Sequence, residues 1–319
     1  MADVVCMGEL LVDFVPTQAG VSLADAPGFK KAAGGAPANV AVGLARLGVK
    51  SEFMGQVGDD EFGRFLARTL NDNGVGTESL VFSAAAQTGL AFVSLGAQGE
   101  RDFMFYRHPS ADMLFEPAAV NVEAIRQARA FHFGSISLIS EPSRSATMRA
   151  LDAAAGSGRL ISFDPNLRPA LWPEEADARA GLALGWQRAQ IIKAAAEEVV
   201  FLSGQADIGR GVARLWHPDL QLVAVTEGAA GCRYFTPGGE GRVPGFAVQA
   251  VDTTGAGDGF TAAMLAGLLA RPDDWPERVV LEQVLRVANA AGALTTTRRG
   301  AIPALPDRAA VEALVAATR

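Results

Sequence analysis

One stretch concentrates the residues able to do chemistry: Asp252-Thr253-Thr254-Gly255-Ala256-Gly257-Asp258-Gly259-Phe260. Ahead of it, Phe246, Val248 and Val251 suggest an extended segment. Behind it, Phe260, Met264, Leu265 and Leu268 are spaced for one face of a helix. The stretch therefore reads as a strand-to-helix turn with three small residues, Gly255, Ala256 and Gly257, at the helix mouth. The first amides of a helix have no intrahelical partners, and the helix dipole adds partial positive charge there. Side chains no larger than a methyl leave those amides open to a phosphate. A carboxylate placed in such an anion cradle needs a reason. Asp258 is either a general base that takes a proton from a hydroxyl as a phosphoryl group arrives, or a helix N-cap, and the residues alone leave both readings open.

A second glycine turn opens another helix. Gly34-Gly35-Ala36-Pro37-Ala38-Asn39 puts a proline in the first turn. Val40, Leu44 and Leu47 form an apolar stripe, and Gly48 ends it. The glycine pair lets a polyol touch backbone, and the Asn39 amide can both donate to and accept from a hydroxyl; a plain turn and helix start is the alternative. Asp13 interrupts the apolar run Leu10–Val15, which reads as a neighbour or continuation of a buried strand at Val4–Gly8. An unpaired charge there would be costly, so Asp13 either caps a turn or binds something in a pocket. Residues 16–33 show little periodicity and read as an irregular excursion.

The frame around these turns is α/β. A helix is expected from about Asp60 to Asn73, and Thr88–Leu95 with Arg101–Tyr106 reads as a hairpin. That hairpin is rich in aromatic residues and ends in Arg107. Exposed, it would be a liability unless it covers a ligand or another subunit. It is read as a lid, with the segment before Gly34 as its partner. From about residue 112 strands and helices alternate, at Ala130–Gly134, Pro142–Ala155, Leu160–Asp164, Ile191–Lys193 and Leu222–Thr226. This implies a mostly parallel sheet covered on both faces. In open sheets of this kind ligands bind at the carboxyl edge, where Asp164-Pro165-Asn166-Leu167-Arg168 emerges. A helix around 278–294 and a terminal amphipathic helix complete the chain, with no repeat and no linker to split residues 1–319.

Composition narrows the chemistry. The chain has 319 residues, 49% hydrophobic and 20% charged, enough for a large core and inconsistent with disorder. A net charge of −7 and the lack of a basic run argue against a nucleic-acid partner. Cys6 and Cys232 stand apart in apolar surroundings, which suits buried thiols in a reducing compartment. With no long apolar segment, no membrane partner and a cytoplasmic location are expected. Gly-Lys never occurs, so a P-loop is excluded. There is no Gly-x-Gly-x-x-Gly after the first strand, no Gly-x-Ser-x-Gly, no Cys-x-x-Cys and no His-Glu-x-x-His. His108, His132 and His217 are too scattered for a metal site.

The two glycine turns resemble the two signatures of the ribokinase-like carbohydrate kinases. Gly8–Val15, Phe103–Asp112, Phe163–Arg168, Thr226–Gly231, Ala288–Ala290 and Arg299–Pro303 are similar to fructokinase segments, in order along the whole chain. The resemblance implies a ribokinase-like fold, a central mostly parallel sheet flanked by helices with a small β-sheet lid formed by about residues 14–33 and 87–111. It implies ATP-dependent phosphorylation of a ketohexose, D-fructose before others, at its terminal hydroxyl. Asp258 would then be the base, ionised at neutral pH, and the amides of Gly255, Ala256 and Gly257 would hold the transferring phosphate, with Arg168 neutralising charge. Asp13, Gly34, Gly35, Asn39, Phe103, Tyr106, Arg107 and Asn166 would bind the sugar. Lys193, Thr226, Gly228, Gly231 and Asn289 would border the nucleotide. Glu198 would hold Mg²⁺ through water, and Asp252, Thr254 and Gly300 would form a K⁺ site. A homodimer through the lid is expected. Ala195, where relatives carry Asn or Ser, and Glu227, where they carry a small or apolar residue, depart from the pattern. The alternatives are a 2-keto-3-deoxygluconate kinase, or a sugar-binding regulator that has lost catalysis.

Overall fold

The computed structural model describes residues 1–18, 20–95 and 101–318, except the side chains of 94, 95 and 101–103. The chain begins as β1 (Val4–Met7), leaves for a second sheet as β2 (Leu11–Pro16), and turns back as β3 (Phe29–Gly34). Then come α1 (Ala36–Arg46), β4 (Ser51–Gly58), α2 (Glu61–Asp72), β5 (Leu80–Ser83) and the hairpin β6 (Leu90–Leu95) and β7 (Arg101–Tyr106). The middle runs α3 (Val122–Gln127), β8 (Ala130–Gly134), α4 (Ser143–Gly156), β9 (Leu160–Asp164), α5 (Glu175–Trp186) and β10 (Ile191–Ala195). Next are α6 (Ala196–Ser203), α7 (Ile208–Leu215), β11 (Leu222–Thr226), β12 (Gly231–Thr236) and β13 (Gly239–Pro244). Helices α8 (Ala256–Ala270), α9 (Arg278–Thr295) and α10 (Arg308–Ala317) close the chain.

Nine strands form the main sheet in the order β13-β12-β11-β10-β9-β8-β1-β4-β5; the seven from β11 to β5 are parallel and the β12–β13 end is antiparallel. The period-two alternation of a strand divides the core in two. Val4 and Cys6 of β1 face the layer of α1, α8 and α9, whereas Val5 and Met7 face α4 and α5. Both cysteines are buried and free. Helix α1 crosses α8 closely because Gly43 has no side chain: a Cβ there would lie 2.6 Å from that of Ala262.

The second sheet, in the order β3-β2-β6-β7, is the expected lid. Three sequence expectations need correction here. Leu10–Val15 does not pair with β1. The chain leaves the main sheet at Gly8-Glu9, and β2 belongs to the lid. Residues 16–33 are not irregular throughout, since Phe29–Gly34 pairs antiparallel with β2. The segment before Asp252 is not a strand; its backbone is tied by Val251 N and Asp252 N donating to Thr296 O at 2.7 and 3.0 Å, and Phe246 is buried in the helix-side core. The turn of the β6–β7 hairpin, residues 96–100, lies outside the described residues.

Candidate active site

The parallel strands deliver their carboxyl ends to one edge, where α1 and α8 also begin. Helix α8 starts at Gly255, whose left-handed φ of 79° lets the chain turn into the helix, and no side chain caps it. Asp258 lies in the first turn, 8% exposed, and its Oδ2 accepts a hydrogen bond of 2.8 Å from Asn39 Nδ2 at the start of α1. The N-cap reading of Asp258 is thereby excluded, and the two sequence signatures, 219 residues apart, meet in this one contact. Burial, and after it the charge of Asp164, pushes the Asp258 carboxyl up to about 6, against the pull of Asn39, Lys193 and Arg168. The group is still mostly ionised at neutral pH, close to the range where a base both is deprotonated and holds a proton well.

Lys193, on β10, brings a cation to the same point. Its Nζ lies 3.1 Å from Asp164 Oδ2, and a Cβ on Gly257 would sit 2.7 Å from that Nζ. The ammonium therefore rests against the second residue of α8, beside the open amides. Burial favours the neutral amine, but Asp164, Glu198 and Asp258 outweigh it and keep Lys193 protonated. Arg168 acts on Asp258 from the loop after β9, and its Nη1 donates to Leu167 O at 3.1 Å. Asn166 holds a left-handed φ of 40°, with its amide donating to Asp164 Oδ1 at 3.2 Å.

On the acceptor side, Gly34 is required by Asp13, because a Cβ would fall 2.2 Å from Asp13 Oδ2. Gly35 has φ 114° and packs against Glu9 O, which a Cβ would approach to 2.3 Å. Asn39 Oδ1 is buried with no partner. Arg107 does not reach freely from the lid. It is buried, with Nη2 paired to the buried Asp112, which Ser110 Oγ also meets at 2.5 Å. Tyr106 is 57% exposed and stacks edge-on against Phe92. The side chain of Phe103 lies outside the described residues. Glu9, which was given no role from sequence, is buried; its Oε1 accepts from Ala36 N at 2.8 Å and burial pushes it up to about 7. A cavity of about 280 Å³ lined by Phe105, Arg107, Met113, Ile136, Ser140 and Leu171 adjoins this side, but Asp258 is not among its walls.

On the nucleotide side, Gly228 and Gly231 have left-handed φ values of 58° and 101° at the turn between β11 and β12. Thr226 Oγ1 donates to Ala194 O at 3.4 Å, and Asn289 Nδ2 binds Val243 O at 3.0 Å, so both hold backbone at this rim. Glu227 is paired with Arg242 at 3.3 Å. Glu198 accepts from two amides, Leu167 N and Ala195 N, each at 2.7 Å. Alanine at 195 supplies a backbone amide to Glu198, and its side chain adds no polar group. Asp252 pins two loops, accepting from Thr254 N and Gly300 N at 2.8 Å each, and Thr254 Oγ1 is buried without a partner. His132 is a neutral core residue, 3.1 Å from Ser162 Oγ, with its proton affinity lowered by burial to about 4.

Residues 1–308 match the model of the pfkB family of carbohydrate kinases. The chain belongs to this family. It is 52% identical to fructokinase-1 of Oryza sativa subsp. japonica, over 97% of this chain and 96% of that protein. The fructokinase of Xylella fastidiosa with bound ATP shares 36% identity at a TM-score of 0.90, covering 99% of each chain. That of Vibrio cholerae O395 in a fructose-, ADP- and calcium-bound form shares 37% identity at a TM-score of 0.90, again covering 99% of each chain. A double mutant of the latter is in a fructose-, ADP- and potassium-bound form. The fold is ribokinase-like.

The raised proton affinity of Asp258 has a consequence for stability. The unfolded chain holds this carboxyl near the ordinary value of about 3.9, so the folded state binds the proton more tightly. Ionising it costs folded stability as pH climbs from about 4 through about 6, and the cost is complete at pH 7. Asp258→Asn, which keeps an acceptor for Asn39, is expected to be more stable than the parent by about 1–3 kcal/mol at pH 7.5 and close to it at pH 4.5. Urea unfolding at the two pH values measures this; a variant less stable at pH 7.5 would contradict it.

Proposed function

We propose that this protein is an ATP-dependent fructokinase that transfers the γ-phosphoryl group of ATP to the terminal hydroxyl of D-fructose. The observation that carries the reading is the buried Asp258 carboxylate, held by Asn39 in the uncapped first turn of α8 with Lys193 against Gly257. The chain's similarity over its full length to fructokinases supports the sugar assignment.

The acceptor hydroxyl is placed by Asp13, the Gly34–Gly35 turn and Asn39, and Asp258 takes its proton as the new P–O bond forms. The amide of Gly257, with Lys193 and Arg168, neutralises charge that spreads over the transferring group. Little covalent work falls to the protein, so alignment supplies most of the rate. Thr226, Gly228, Gly231 and Asn289 border the adenosine, and the lid sheet closes over the sugar to exclude water.

Mg²⁺, when bound, neutralises the triphosphate. Glu198 has both oxygens engaged by amides, and no three His, Cys, Asp or Glu side chains gather as a ligand set among the described residues. That donor set suits an ion carried by phosphate oxygens and water, with Glu198 in the outer shell. The buried, unpartnered Thr254 hydroxyl beside loops pinned by Asp252 suits a monovalent cation such as K⁺. Pairing of Arg107 with Asp112 favours a neutral sugar over 2-keto-3-deoxygluconate, because an acidic sugar needs a cation that is not already neutralised. Buried free thiols support a cytoplasmic setting, and no helix among the described residues is long and apolar enough to cross a membrane.

The edge strand β7 exposes Met104 and Tyr106, which favours pairing of two lids across a two-fold axis. Sedimentation should give a dimer that Tyr106→Lys with Met104→Lys converts to monomer; a parent chain that is monomeric at micromolar concentration contradicts this. For catalysis, ADP release should be fastest with fructose and at background with 2-keto-3-deoxygluconate, ribose and adenosine. Asp258→Asn should lose ~10²-fold or more in kcat while keeping the KM for fructose within a few-fold. A near-normal kcat would reject the base assignment.

A further inference from the structure

Asp164 ends β9 with its side chain on the α8 side of the sheet, 2% exposed, where the sequence suggested only a ligand-bearing edge. Three groups make four contacts with its two oxygens. Lys193 Nζ lies 3.1 Å from Oδ2 and 3.2 Å from Oδ1. Thr261 Oγ1, from the second turn of α8, donates to Oδ2 at 3.2 Å, and the amide of Asn166 donates to Oδ1 at 3.2 Å. The single proton of that Thr261 hydroxyl is shared with Gly257 O, 2.9 Å away, so one side chain lies between the carboxylate and the first turn of α8.

The place where it holds the ammonium is unusual. Lys193 Nζ sits against Gly257, at the positive end of a 15-residue helix, where a cation is disfavoured unless an anion is near. A flexible four-carbon stem would take the head group elsewhere if nothing anchored it. A carboxylate at hydrogen-bond distance, buried and oriented by two further donors, supplies that anchor at charge-assisted strength. Glu198 and Asp258 also attract the ammonium, but Asp164 is the carboxylate that lies at hydrogen-bond distance from it.

We propose that Asp164 is a positioning residue for phosphoryl transfer, acting through Lys193: it keeps the ammonium beside Gly257 in the first turn of α8, where the transferred group must pass. This rests on the kinase reading, which the parent enzyme's turnover of fructose tests separately in the same assay.

A double-mutant cycle of Asp164→Asn with Lys193→Met decides it, read as kcat from ADP release at saturating fructose. Each single variant is expected to lose about 10–100-fold, the penalty typical of a displaced positioning group, with the KM for fructose within two-fold of the parent. The double variant should fall no more than about three-fold below the worse single one, because both remove one device. Losses that multiply would show that Asp164 acts by another route and would overturn the proposal. So would an Asp164→Asn variant with parental kcat. Thr261→Val guards against a folding defect in Asp164→Asn: it leaves every charge in place and removes one anchor of the carboxylate. It should lower kcat about 3–10-fold at unchanged KM for fructose, and an unchanged kcat would overturn the proposal as well.

Discussion

The structure depends on one constraint: a carboxylate must stay buried and ionised, beside an ammonium, in the first turn of a helix that no side chain caps. Each neighbouring feature follows from that demand. Asn39 gives Asp258 a neutral donor, so the group is held without being neutralised. Lys193 and Arg168 lower the electrostatic cost, and Asp164 raises it, leaving the proton affinity near the middle of the useful range. The missing side chain of Gly257 makes room for the Lys193 ammonium, that of Gly255 lets the turn pack against Ala301, and Gly43 lets α1 approach α8 closely enough for Asn39 to reach.

The two sheets divide the labour accordingly. The central strands of the main sheet are buried on both faces, and their carboxyl edge positions Asp164, Lys193 and the start of α8. The lid is joined to it through Gly8-Glu9, Gly34-Gly35 and the chain around Arg107, all crowded with buried polar groups. Glu9 spans this junction by holding the amide of Ala36, and the Arg107–Asp112 pair occupies its far side. A polar junction of this kind is specific in geometry rather than strongly stabilising, which suits a hinge that must return to one place.

Much of this was legible in the residues. Both glycine turns, Asp258, Asn39 and the alternation from residue 130 onward follow from local rules of helix starts, glycine use and period-two burial. What local rules cannot supply is partnership across the chain. Asp164 reads only as part of the ligand-bearing edge until β10 and α8 close on it, and nothing local marks Asp112 as the partner of Arg107. Strand β4 escaped notice because Gln56 and two glycines dilute its apolar pattern; Gln56 is accommodated by donating to Ala111 O at 2.7 Å. Strand β3 escaped because Lys30 and Lys31 lie on an exposed edge of the lid. The segment before Asp252 misled in the other direction, since Phe246 is apolar for packing and not for pairing.

The central claim is that the ionised Asp258 carboxylate is the base. The dependence of kcat/KM for fructose on pH, at saturating ATP and Mg²⁺, tests it most directly. The value should rise with the loss of a single proton to a plateau, half-way near pH 6, because the protonated carboxyl cannot accept from the hydroxyl. A plateau that continues unchanged below pH 5 would contradict the account.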